Sequence, residues 1–113
     1  MSVLKYSDLI DEVEREQAAK GLEFEAKDGK VLLLRPILLL NKDELKVVRT
    51  LLKVVGDKDT DTFEQIDAMD AMLVAAADRK DAMKKSLADL PPQMKTRVFE
   101  AWMQAAKSGE ASA

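Results

Sequence analysis

The stretch from residue 22 to residue 45, LEFEAKDGKVLLLRPILLLNKDEL, constrains the fold more than any other part of the chain. Leu22, Phe24 and Ala26 alternate with Glu23 and Glu25, a period of two that suits a half-buried strand. Asp28-Gly29 is a hairpin signal, because glycine takes positive φ without a steric penalty. Val31 to Leu34 is a continuous apolar run that must end at Arg35-Pro36, since proline cannot donate to a ladder. A two-residue turn at Asp28-Gly29 pairs Phe24 with Leu33. A type I turn through Lys27-Asp28, with Gly29 as a left-handed bulge residue, pairs Phe24 with Leu32. The residue types favour the bulged form. A lone hairpin is marginal in water, so the chain's own helices or another subunit must cover it.

The same stretch launches a helix. Asn41 is a good N-cap and Glu44 lies three residues on, a variant capping box with Leu40 and Leu45 as the hydrophobic staple. The apolar positions of helix 42–55 form a stripe wider than one face, so two surfaces could be covered, and Leu51 and Val55 are candidate partner-binding residues. Before the hairpin, Ser7 is a candidate N-cap for a weakly amphipathic helix 7–19, and Gly21 its C-cap. After it, Asp57 to Asp61 is an acidic connector. Its alternate carboxylates resemble the start of a calcium loop, but the sixth and twelfth positions hold Thr62 and Ala68 instead of Gly and Glu. The spacing therefore predicts a loop with Asp61 or Thr62 as a helix cap.

Phe63, Ile66, Leu73 and Ala76 predict a helix 62–77, and Met83, Leu87 and Leu90 a further short one. The two could also be one helix, since no Gly or Pro breaks Asp78 to Asp81. Pro91-Pro92 separates them from a last helix, 93–107. The expected fold class is mainly α (α+β): one N-terminal two-stranded antiparallel hairpin with four to five helices. The 113 residues suit a single compact domain, 1–109, followed by a disordered tail, 110–113.

The chain has neither cysteine nor histidine. That removes disulfides, thiolate chemistry, imidazole catalysis and the usual zinc and haem ligation. A net charge of −3, with Lys and Arg scattered, argues against binding to nucleic-acid backbones. No apolar run is long enough to cross a membrane. The serines lack a histidine base, no glycine-rich phosphate loop exists, and Asp67 and Asp70, one turn apart, read as a polar face. The expectation is a non-enzymatic protein without metal or cofactor. Five methionines, Met69, Met72, Met83, Met94 and Met103, fall in the C-terminal helices near Phe99 and Trp102. They suit either a small helical core or an adaptable partner surface. Val98, Phe99, Trp102 and Met103 span more than one narrow stripe, so the last helix could face both the core and a partner.

The order of these segments resembles the tail assembly chaperones of long-tailed bacteriophages, especially those infecting actinobacteria. It runs from a short acidic helix, through the Phe24-centred strand and the Leu-rich return strand ending at Arg35-Pro36, to a Leu/Val helix. An acidic connector, an Ala/Met helix, Phe99-Glu100-Ala101-Trp102 and a Ser-Gly-Glu-Ala tail follow. Pro91-Pro92 departs from the acidic or Gly-Asp turn of that pattern. The resemblance implies a protein that coats the tape measure protein until the tail tube polymerises around it. It also implies contact with the tail tube protein, a place in the host cytoplasm and absence from the mature virion. Many such proteins are also made in a longer form by a ribosomal frameshift. An unrelated helical adaptor or self-associating module is the alternative.

Overall fold

The computed structural model describes the backbone of residues 2–112 and the side chains of residues 2–105. The elements run α1 (Tyr6–Lys20), β1 (Leu22–Glu25), β2 (Val31–Leu34), a 3-10 turn (Ile37–Leu39), α2 (Lys42–Gly56), α3 (Thr62–Ala76), α4 (Lys80–Ala88) and α5 (Pro92–Ser112). The fold is mainly helical, with one antiparallel hairpin near the N-terminus. Residues 62–90 form two helices. Helix α5 runs on to Ser112, past the expected end at 107 and into the expected tail 110–113.

The hairpin takes the bulged register. Phe24 pairs with Leu32 and Leu22 with Leu34. Gly29 has φ of 82°, and its N–H donates to Ala26 O at 2.9 Å. Asp28 accepts from the Lys30 N–H at 2.9 Å, which fixes the turn. This register places Leu32 and Leu34 in the core and leaves Val31 exposed opposite Glu25. The chain itself covers the hairpin. The connector after α3 adds a single antiparallel rung, Leu34 to Ala77, along the outer edge of β2. Arg35 N–H donates to Ala76 O, and Asp78 N–H donates to Leu33 O, both at 3.0 Å. Asp78 Oδ1 accepts the Leu33 N–H at 2.9 Å.

Gly21 is the C-cap of α1, as expected, and its N–H donates to Gln17 O at 2.9 Å. Its backbone there is extended. The reason for a glycine is close approach: a Cβ there would lie 2.6 Å from Gln17 O and 2.8 Å from both Leu33 Cδ1 and Leu34 O. Gly56 is the last residue of α2 and has open space around it. Helix α1 starts at Tyr6, one residue before Ser7, and Lys5 stands at its N-cap without a side-chain hydrogen bond. The other caps follow the sequence. Asn41 and Glu44 form the full capping box of α2, and Asp61 Oδ1 accepts Glu64 N–H at 2.8 Å to cap α3. Asp57 turns its carboxylate on Asp59 N–H, so these acidic groups serve local turns.

The core is built from Leu32 and Leu34 of the hairpin, Val48 of α2, and Met72, Leu73 and Ala76 of α3. Met83 and Leu87 of α4 and Trp102 of α5 complete it.

Candidate functional site

A charged hub holds the elements in place before any surface is considered. Arg35, at the end of β2, donates through Nε to Ala76 O at 2.9 Å and through Nη2 to Glu44 Oε2 at 2.6 Å. Lys80 Nζ reaches the same Glu44 oxygen at 2.7 Å and the carbonyls of Ala75 and Ala77 at 3.0 Å. Two cations therefore satisfy carbonyls at the C-terminus of α3, where the helix dipole favours positive charge. Glu44 neutralises both from the first turn of α2. Burial raises its carboxyl pKa, but the hydrogen bonds and charges of Lys80 and Arg35 outweigh that and hold it below the usual glutamate range. Trp102 Nε1 donates to Arg35 O at 2.8 Å and brings α5 onto the same point.

With the hub fixed, β1 and α5 stand side by side and leave an apolar groove of about 480 Å³. Leu22 and Phe24 form one wall; Leu90, Met94, Val98 and Ala101 form the other. Glu25 and Arg97 are its charged members. Leu22 and Phe24 reach it because the period of two turns both to one face of β1. Met94, Val98 and Ala101 reach it because positions i, i+4 and i+7 share a face of α5. Such a groove suits the apolar face of a helix, and its Met94 can adapt to different side chains.

The predicted partner residues separate. Val98 lines the groove. Trp102 is 1% exposed and belongs to the core, and Phe99 packs edge-on against it at 5.7 Å between ring centroids. Met103, Leu51 and Val55 are half-buried against the core. Of the five methionines, Met69, Met72 and Met83 are buried, and Met94 and Met103 are partly covered. Met94 was among the methionines that suited a partner surface, whereas the groove residues Leu22, Phe24, Leu90 and Ala101 were not singled out for binding. Their alternation and spacing mark apolar faces, but their meeting is tertiary.

Charged candidates also resolve. Asp70 forms an ion pair with Lys95 of α5 at 2.7 Å rather than a polar face with Asp67. Ser86 is buried, donating to Ala82 O at 2.8 Å and accepting the Lys27 N–H at 2.9 Å. It therefore anchors the hairpin turn to α4. Among the described residues no group of three acidic side chains is placed to hold a metal ion, and no helix is long and apolar enough to cross a membrane.

A second apolar surface lies away from the groove. Helix α1 has no buried residue, and Leu4 and Tyr6 are mostly exposed. Leu38 of the 3-10 turn is 81% exposed. No protein-family model, curated protein or solved structure matches the chain.

Proposed function

We propose that this protein is a non-enzymatic tail assembly chaperone that binds the tape measure protein of a long-tailed bacteriophage and keeps it soluble until the tail tube forms. The observation that carries the reading is the apolar groove between β1 and α5, which offers a seat for an amphipathic helix. The order of segments, from the acidic first helix to the Phe99-Glu100-Ala101-Trp102 helix, supports the choice of partner by resemblance. The acidic surface suits a protein that must keep an apolar client dispersed. The tail tube protein is a second partner under this reading, and the site of action is the host cytoplasm.

The test is co-expression with the tape measure protein. Ala101 is exposed at the groove, so Ala101→Glu blocks the seat without entering the core. The variant should melt with the parent and lose the tape measure protein in a pull-down. A folded variant that retains its partner at the parent level would sink the proposal.

A further inference from the structure

We infer that the open edge of β1 takes an extended segment of a partner as a third strand, one in which apolar residues alternate with basic ones. This goes beyond the chaperone reading and does not depend on it. Hydrogen bonding at the edge, the groove beside it and the local charge carry it.

The edge itself is unfilled. On β2, Leu33 turns its backbone away from β1: its N–H donates to Asp78 Oδ1 at 2.9 Å and its carbonyl accepts the Asp78 N–H at 3.0 Å. Glu23 stands directly opposite Leu33. In an antiparallel ladder, opposite residues either bond each other or both point outward, so Glu23 also turns its N–H and C=O outward. The alternation repeats at Glu25. Among the described residues, no backbone group of α1, α5 or any loop bonds to either glutamate's main chain. The chain closes the outer edge of β2 with its own connector and leaves that of β1 open. Donors and acceptors in such a row are a template for another extended chain.

The groove beside the edge and the charges on β1 define the occupant. An added strand sets alternate side chains on the Leu22 and Phe24 face, where the groove receives them against Met94 and Val98. Its other side chains fall beside Glu23 and Glu25, which are exposed and form no ion pair among the described residues. Those positions favour Lys or Arg through cross-strand pairing. Arg97, a groove residue, disfavours a cation on the inner face. Charge also disfavours a second copy of this chain: any antiparallel pairing of two β1 edges through these groups sets Glu against Glu. Main-chain bonds at a sheet edge, with a pocket for alternate side chains, are the mode of strand addition. A strand here and a helix seated in the groove fill the same space, so the two compete.

The experiment titrates the full chain with a short synthetic peptide that alternates Val and Lys, and with its Val and Glu counterpart, while NMR follows amide hydrogen exchange. The Val-Lys peptide should slow exchange at Glu23 and Glu25 and change little at Phe24, which already bonds within the hairpin. The Val-Glu peptide should bind about tenfold more weakly or worse. Glu23→Lys with Glu25→Lys, at two exposed positions, should keep the parent's melting temperature and reverse that preference. N-methylation of one alternate set of peptide amides should abolish binding, and of the other set leave it, because only one set faces the edge. A Val-Lys peptide that fails to bind overturns the inference. So does one that binds without protecting the Glu23 and Glu25 amides, or that tolerates both methylations alike. None of these measurements uses the tape measure protein, so their failure leaves the chaperone reading standing.

Discussion

Replacing Glu44 by Gln tests the hub, because it removes one charge while keeping the shape. Glu44 and Arg35 side chains are 13% and 16% exposed, and Lys80 is 46% exposed. Removing one partner of a fully buried pair costs about 3–5 kcal/mol. Here the stranded cations keep the carbonyls of Ala75, Ala76 and Ala77, and Lys80 keeps solvent. Gln can still accept the Asn41 N–H through its amide oxygen. The expected loss is therefore about 2–3 kcal/mol, a fall in Tm of roughly 10 °C for a domain of this size. The sign of the pH dependence follows from the lowered pKa of Glu44. The unfolded chain protonates this carboxyl first as the pH falls, so the stabilisation is complete above the unfolded value. It disappears as the pH drops through the folded one. Urea unfolding of parent and variant at about pH 7 and about pH 3 measures this: the gap should be wide at the first and narrow at the second. A gap independent of pH, or no gap at neutral pH, would refute the argument.

Gly21→Ala should destabilise by about 1–3 kcal/mol, because its new methyl meets backbone oxygens on both sides. Gly56→Ala, in open space at a helix end, should leave stability unchanged or raise it by up to about 1 kcal/mol; thermal melts of the pair check both. Ser86→Ala removes the acceptor for Lys27 N–H and should cost about 1–3 kcal/mol, with faster hydrogen exchange at that amide. Trp102→Ala should cost about 3–5 kcal/mol by denaturant titration, and Trp102→Phe, which loses only part of the ring and the bond to Arg35 O, should cost clearly less.

What the sequence made legible was local chemistry. Lys27-Asp28-Gly29 indicated the bulged turn because each residue has its own backbone preference there. Asn41 and Glu44 announced the capping box because both partners lie within one turn. Gly21 was legible as the cap of α1, but the close approach that excludes a side chain there shows only in the packed structure. Trp102 was ambiguous for a similar cause: a large amphipathic ring suits a core and an interface equally. Arg35 read only as the end of a strand. Its partners Glu44, Ala76 and Lys80 come from three different segments, and no spacing rule links them.

The rung between Leu34 and Ala77 and the bond from Trp102 to Arg35 also bear on how the chain is made. The latter spans 67 positions. The hairpin and α2 are the first apolar elements to leave a ribosome, yet their outer edge and their hub are completed by residues translated much later. Until Trp102 has emerged, Leu32, Leu34 and Val48 lack the last of their cover. A nascent chain halted between α2 and α5 should be cut readily by protease within the hairpin, and protection should arrive in one step once α5 is complete.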